Sequence, residues 1–277
     1  MILVTGATGN AGGAVARALV EAGEKVRALV PGGGDASAVP EGVEVVAGDL
    51  NLPETVAPHV GRVSAVFMLS GYDGLTETLA DMRRTGVERV VLLSSSAAPT
   101  GDLANVVARY HILSERAVRD SGLRWTFLRP NSFMSDTYRW LPQLRAGDAI
   151  RLPFAEVPIA MIHPDDLGAV AAAALTTDTH EGQAYRLSGP QGLHPAEQVR
   201  ILGAAIGREL RFEAQSNEEA KAEMEQRLPK EYADALFQLF ADGAIDETTV
   251  HPTVQEVTGR APMSFEQWVK ANVAAFR

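Results

Sequence analysis

The chain contains no cysteine, which excludes disulfides, thiolate metal sites and a cysteine nucleophile. Lysine is scarce: Lys25, Lys221, Lys230 and Lys270 are the only four. None follows a tyrosine by four positions, so no Tyr-x-x-x-Lys pair exists. Acidic residues outnumber basic ones, 35 to 25, for a net charge of −10. Such a surface, with no Lys/Arg run, repels phosphate backbones and argues against nucleic acid as a partner. No apolar stretch reaches membrane-spanning length; the longest candidate, Leu167–Leu175, reads as a short alanine-rich helix, so no membrane partner is expected. The first residues already read as a core strand, which leaves no room for a signal peptide, and a cytoplasmic location is expected. There is no Gly-x-Ser-x-Gly elbow and no P-loop. His59, His180, His194 and His251 lack ligand spacing, and no metal site is expected.

What is present fits a folded globule. The 277 residues are 46% hydrophobic and 22% charged, enough for one large domain or one domain plus a small lobe. The opening MILVTGATGNAGG is the most informative segment. An apolar run, Ile2 to Val4, ends at Thr5; Gly6, Gly9 and Gly12 follow at intervals of three, and then a helical pattern begins. Strand, glycine turn and helix make the context of a dinucleotide-binding turn. Gly6 allows a sharp exit from the strand, Gly9 lets a pyrophosphate approach the backbone, and Gly12 lets the helix pack closely. The free N–H groups near Asn10 to Gly12 would then face the anion. The plainer alternative is a glycine turn that only shapes a βα unit.

Strand-like runs recur at Ile2–Thr5, Val26–Val30, Val43–Ala47, Ala65–Leu69, Val90–Ser94 and Trp125–Leu128. Helical patterns at Ala11–Ala22, Leu75–Arg84 and Val106–Asp120 lie between them, each ending at a glycine corner. The strands are nearly continuous apolar runs, as expected for a sheet covered on both faces. The expectation is a Rossmann-like, doubly wound α/β sheet with a smaller, mostly helical C-terminal substrate lobe. The nucleotide domain is expected over 1–130 plus about 159–188, and the lobe over 131–158 and 189–277. Further helices are expected at Asn131–Arg145, Pro164–Thr176, Pro195–Ile206, Asn217–Arg227, Glu231–Phe240 and Ser264–Phe276, and strands at Ile159–Ile162 and Ala184–Leu187. His163, Asp165 and Asp166 read as a helix start, with Pro164 in the first turn, rather than as a metal cluster.

TGATGNAG, VRALV, Gly48–Leu50, SGLRWTFLRPNSFM (Ser121–Met134), IHPDDLGAVAAAAL and GQAYRLSGP occur in order along nearly the whole chain. Together they resemble the NmrA-like group of atypical short-chain dehydrogenases/reductases, and within it bacterial NAD(P)H-dependent quinone-reductase-like proteins. The resemblance implies an NAD(P)(H) cofactor. It assigns Gly6, Thr8, Gly9, Asn10, Ala11 and Gly12 to the phosphate turn and Asp49 and Leu50 to the adenine. Leu69, Ser70 and Gly71 would border the cofactor ribose. Ser94, Ser95 and Ser96 would lie beneath the nicotinamide, and Pro130, Asn131 and Ser132 along it. The serines read equally well as polar residues closing a strand end.

Two departures from the group stand out. Pro31 occupies the position where an arginine would meet the 2′-phosphate of NADP, and it offers neither charge nor N–H. Backbone donors of Gly32–Gly34 or the Asp35 carboxylate are the alternatives there. NAD and NADP both stay open; the resemblance favours NADP(H). The second departure is the missing Tyr/Lys pair. Aligning Glu115 with the group's glutamate puts His111 in the lysine position and Val107 in the tyrosine position, all on one helix face. The other register offers Tyr110 and Ser114. His111 and Tyr110 are therefore the candidate catalytic residues, His111 as ribose ligand or as a proton donor near neutral pH, with a structural His111–Glu115 pair as the alternative. Phe133, Met134, Tyr138 and Trp140 are expected to roof the substrate pocket, with Tyr138 a back-up donor.

The function expected is hydride transfer from NAD(P)H to a small quinone, enone or activated carbonyl, by a monomer or homodimer. A nucleotide-sensing regulator of the NmrA type is the alternative, because a missing proton donor also suits a protein that binds without turnover. An epimerase with tightly held NAD is less favoured, since such enzymes keep the tyrosine and lysine.

Overall fold

The computed structural model describes residues 1–32 and 34–277. Chain order begins β1 (Ile2–Thr5), α1 (Asn10–Glu21), β2 (Val26–Val30), β3 (Glu44–Ala47), α2 (Pro53–Val56), β4 (Ala65–Leu69), α3 (Leu75–Arg84), β5 (Arg89–Leu93), α4 (Val106–Asp120) and β6 (Arg124–Pro130). It continues with α5 (Leu141–Ala146), β7 (Ala149–Leu152), α6 (Pro164–Thr176), β8 (Gln183–Leu187), α7 (Pro195–Ile206), β9 (Arg211–Ala214), α8 (Asn217–Glu225), α9 (Lys230–Phe240), α10 (Thr253–Thr258) and α11 (Phe265–Ala271).

Seven strands pair in parallel in the order β3-β2-β1-β4-β5-β6-β8. This is the doubly wound arrangement expected, with the direction of winding reversing between β1 and β4. Ligands of such sheets bind outside the carboxyl ends of the strands at that reversal. The two-residue period of the strands builds two cores. Ile2, Val4, Phe67 and Leu128 point into a layer with Val15 and Leu19 of α1 and Val170 of α6. Leu3, Val66, Met68 and Phe127 point into the opposite layer, with Leu79 of α3 and Val118 of α4. The sheet is therefore buried on both faces, which is why its strands read as unbroken apolar runs.

A third cluster gathers Met134, Trp140, Leu144, Ile150, Leu202, Trp268 and Phe276. It sits beside a second, two-stranded parallel sheet of β7 and β9, which the sequence reading lacked. Ile159–Ile162, read as a strand, forms only isolated bridges, Ile159 to Leu193 and Ile162 to Phe133. The Ala160 N–H goes instead to the Glu247 carbonyl at 2.7 Å, so no ladder can continue. The helix expected over Asn131–Arg145 is a 3₁₀ segment, Met134–Trp140, leading into α5. The terminal helix breaks at Asn272, whose amide donates back to the Trp268 carbonyl at 2.8 Å, and resumes as 3₁₀ over Val273–Phe276. Among the described residues no helix is long and apolar enough to cross a membrane.

Candidate cofactor site

At the end of β1 the chain turns at Gly6, whose φ of +66° lies in the left-handed region. The Gly9 N–H closes the turn on the Gly6 carbonyl at 2.9 Å. A Cβ on Gly12 would lie 2.3 Å from the Gly6 carbonyl oxygen, so only glycine lets α1 start this close to the strand. A Cβ on Gly9 would meet nothing nearer than 3.4 Å, which leaves the outer side of the turn open. Gly9 caps α1 without any side-chain bond, and the first turn carries no acid. The N–H groups of Asn10, Ala11 and Gly12 find no acceptor among the described residues. Thr8, Gly9 and Asn10 are exposed around them and Ala11 is half-buried. Unfilled donors at a helix start over a bare glycine surface form a cradle for a phosphate anion, so these residues fit a dinucleotide pyrophosphate.

Towards the β2 edge, Pro31 is exposed. Asp35 spends both carboxylate oxygens on Ser37, accepting from its N–H and its hydroxyl at 2.8 Å each. Asp35 is exposed in this local turn, and its carboxylate keeps further acceptor positions open. Of the loop expected to offer backbone donors, Gly33 lies outside the described residues. Asp49 is half-buried and accepts from the Asn51 N–H at 2.9 Å, whereas the Leu50 side chain is buried in the core. At the end of β4, Leu69 lies directly under Gly6, the Ser70 hydroxyl donates to the Leu93 carbonyl at 2.7 Å, and the Gly71 N–H donates to the Ser114 hydroxyl at 3.0 Å.

The serines after β5 have separate roles. Ser94 is buried and donates to Glu115 at 2.7 Å, and Ser96 is buried and donates to Glu247 at 2.6 Å. Ser95 is half-buried and accepts from the Ala97 N–H at 3.1 Å. For Ser94 this corrects the expectation of a hydroxyl facing a nicotinamide, because Glu115 on α4 claims it. Asn131 is likewise a structural knot. Its amide donates to the Glu247 carbonyl at 2.9 Å and its oxygen accepts from Arg186 at 3.0 Å. Pro130 is buried as the last residue of β6, while Ser132 remains half-buried at the edge.

On α4, Glu115 is not His111's partner, which corrects the structural pair considered above. It is bidentate to Arg129, at 2.8 and 2.7 Å, and also accepts from Ser94 and Arg119. Burial pushes this carboxyl up, but the hydrogen bonds from Arg129 and Ser94 and the two guanidinium charges outweigh it, and the net shift is downward. His111 is left with a buried Nδ1 that has no partner among the described residues. Burial lowers its pKa from 6.5 to about 4, with Glu115 opposing only in part. His111 is therefore a neutral imidazole at pH 7, a correction to its expected role as an acid near neutrality. An NMR titration of the His111 ring is expected to show a midpoint at about 4. A midpoint near 6.5 would overturn the burial argument. The Tyr110 ring lies 4.1 Å from that of His111 and packs against Gly71, where a Cβ would stand 3.1 Å from it. Tyr110 and Ser114, the second register, are thus the pair held at the end of β4; Val107 packs beside Ala97 and Leu239.

A cleft of about 260 Å³ opens beside the turn, lined by Thr8, Asn10, Arg17, His163, Tyr138 and Trp268 among others. It joins the glycine turn to the small lobe. The Tyr138 hydroxyl donates to Asn272 at 2.7 Å, and its ring stacks on Phe276. Met134 and Trp140 do not roof a pocket, since both are buried in the lobe's core; Phe133 is half-buried against the main core. His163 accepts the Asp165 N–H through Nδ1 at 3.0 Å, and Asp166 takes Arg260 and the Met263 N–H. These contacts make a helix cap and a tie to the lobe. Two features escaped the sequence reading. Glu247 is one. The other is Phe154, at φ +56°, strained for a bulky side chain and packed against Phe237 and Phe240 of α9. The Phe-x-x-Phe spacing in α9 was its only sequence signal.

Known proteins resemble this chain from end to end. The chain is 37% identical over 282 residues to a (4-alkanoyl-5-oxo-2,5-dihydrofuran-3-yl)methyl phosphate reductase of Streptomyces griseus, spanning 100% of this chain and 99% of that protein. It is 34% identical over 283 residues to an NAD(P)H azoreductase of Xenophilus azovorans, with the same coverage. Among solved structures, the Citrobacter sp. triphenylmethane reductase complexed with NADP(H) superposes with a TM-score of 0.77 at 26% identity, over 98% of this chain and 99% of that one. An NADPH-dependent quinone oxidoreductase from Escherichia coli shares the fold, with a TM-score of 0.80 at 19% identity over 99% of this chain and 100% of its own. The sequence profile of the NmrA-like family matches residues 1–269, and the chain belongs to that family.

Proposed function

We propose that this protein is an NAD(P)H-dependent reductase that delivers hydride to a small electron-poor acceptor, namely a quinone, an enone or an activated carbonyl. The observation that carries the reading is the uncapped start of α1 over the bare Gly9 surface. The relatives' names, reductase and NAD(P)H azoreductase, point to the same class. Asn10, Ala11 and Gly12 hold the pyrophosphate through their backbone N–H groups. Asp49 borders the adenine, Tyr110 and Gly71 the ribose, and Ser95 and Ser132 the nicotinamide end. When bound, the cofactor supplies the hydride. The protein's part is to hold the acceptor against it and to exclude water beneath the lobe, where Tyr138 and Trp268 overhang the turn. An imidazolium does not supply the following proton, because His111 is uncharged above about pH 4.

Calorimetric titration with NADPH and NADH, followed by cofactor oxidation against a panel of quinones and enones, tests the proposal. Absence of binding would remove it. With Pro31 at the end of β2, discrimination between the two nucleotides is expected to be small. Pro31→Arg is expected to tighten NADPH about tenfold and leave NADH unchanged, since one charge-assisted bond to a phosphate contributes about 1.5–3 kcal/mol before the cost of ordering the side chain. Equal effects on both nucleotides would place the 2′-phosphate elsewhere.

A further inference from the structure

Glu247 lies in the segment between α9 and α10, and it is 4% exposed. It reaches the carboxyl ends of two central strands at once. Its Oε1 accepts from the Ser96 hydroxyl at 2.6 Å, just after β5. Its Oε2 takes both the N–H and the hydroxyl of Ser132, at 2.9 and 2.6 Å, just after β6. Among the described residues no cation bonds to it. Arg186 on β8 is the nearest positive charge, but its Nη2 donates to Asn131 and to the Asp246 carbonyl. The other charged and titratable groups around that guanidinium are Asp246, Arg129 and His251. A carboxyl this enclosed, bonded only by neutral donors, is held above the usual carboxylate range by its burial.

The hydrogen-bond inventory shows what the two protonation states do. As an anion, Glu247 accepts from both serine hydroxyls, and Ser132 has no hydroxyl hydrogen left to offer a substrate. As an acid, it keeps the Ser96 hydroxyl on Oε1 and donates from Oε2 to the Ser132 Oγ. The Ser132 N–H still finds Oε2, and the Ser132 hydroxyl hydrogen is freed to point outward. Ser132 is half-buried and lies just beyond the last residue of β6, at the carboxyl end of the sheet, where ligands of such folds bind.

We propose that Ser132 is the proton donor of the reduction and that Glu247 is the positioning residue behind it that stores and refills its proton. This rests on the reductase reading above. The acceptor gains two electrons and a hydrogen as hydride from NAD(P)H, which is oxidised. The Ser132 O–H bond breaks as an O–H bond forms on the acceptor oxygen. The Glu247 Oε2–H proton passes to the Ser132 Oγ, and the carboxylate regains a proton from water after product leaves. The arrangement takes the place of the missing Tyr-x-x-x-Lys pair, and it selects acceptors whose reduced form carries an oxygen needing a proton.

The test compares a quinone with a triarylmethyl carbocation dye, which takes hydride and no proton. Glu247→Gln keeps the shape and the Ser132 bonds but has no proton to give. It is expected to slow quinone turnover about 100-fold, the scale of general-acid catalysis, with dye turnover and NADPH affinity unchanged. Ser132→Ala should slow quinone turnover far more than dye turnover, with the carboxyl left in place. The quinone rate of the wild type should fall as pH rises through the Glu247 pKa, and that of Glu247→Gln should stay flat. Infrared spectra of the protein without cofactor should show a neutral carboxylic-acid band that Glu247→Gln removes. Equal losses with both acceptors, loss with neither, or no such band would each overturn the relay. A protein that binds NADPH but oxidises it with neither acceptor would overturn the reductase reading and the relay with it, whereas the band is read without turnover.

Discussion

Replacing Gly12 with alanine is expected to abolish measurable NAD(P)H binding and to destabilise the fold by about 1–3 kcal/mol or more, the range for overpacking a rigid contact. The added methyl would stand 2.3 Å from the Gly6 oxygen, 2.5 Å from the Gly6 carbon and 2.7 Å from the Thr5 oxygen. All three are backbone atoms, and no rotamer change relieves the overlap. The helix start must move away from β1. Its other face is held, because Ala14 packs so closely on α6 that a Cβ on Gly168 would lie 2.7 Å from the Ala14 oxygen. The shift therefore falls on the first turn, and it misaligns the three free N–H groups that define the phosphate cradle. Gly61→Ala is the matched control, since a Cβ there meets nothing within 4 Å and its φ is ordinary. That change should be neutral or slightly stabilising. Urea unfolding and calorimetry on the two variants decide the matter. A Gly12→Ala protein that binds NADPH as tightly as the wild type would sink the pyrophosphate assignment.

Glu115→Ala is expected to cost about 3–5 kcal/mol, the penalty for removing one partner of a buried ion pair. Glu115 is 3% exposed and Arg129 17%, so the guanidinium left behind has little access to water. The variant also orphans the Ser94 hydroxyl at the end of β5. Replacing both partners with apolar residues should be much milder, because no charge is then left unpaired. The pH dependence has a definite sign. The folded-state pKa of Glu115 lies below its ordinary 4.5. The stabilisation is thus fully present above about 4.5 and is lost as pH falls through the lower folded value. Wild-type stability should drop more steeply than that of Glu115→Ala over this acid range. A cost under about 1 kcal/mol by urea unfolding would show that the pair is solvated and structurally idle.

Many elements were legible because their signals are local. The helix ranges Leu75–Arg84, Val106–Asp120, Pro164–Thr176 and Pro195–Ile206 follow from apolar spacing with Asn105, Pro164 and Pro195 at their starts. β7 and β9 were not legible. They are short, and most of their residues keep contact with solvent, so neither leaves an apolar run. Ile159–Ile162 misled for the opposite reason: it is apolar because it is enclosed by the lobe, and its backbone bonds go to loops. Met134 and Trp140, expected at the pocket, fill the lobe's core with their bulk instead.

The sequence by itself determined the α/β class, the parallel sheet and the glycine cradle, because strand period, helix period and glycine spacing act over a few residues at a time. It also determined that no Tyr-x-x-x-Lys pair is present. Only the tertiary structure decided which polar groups are buried and what they bond. Arg129 is 14 residues from Glu115, and Ser132 and Ser96 are 115 and 151 residues from Glu247. A buried charge takes its state from neighbours in space, and no local pattern announces a partner supplied from the far end of the chain.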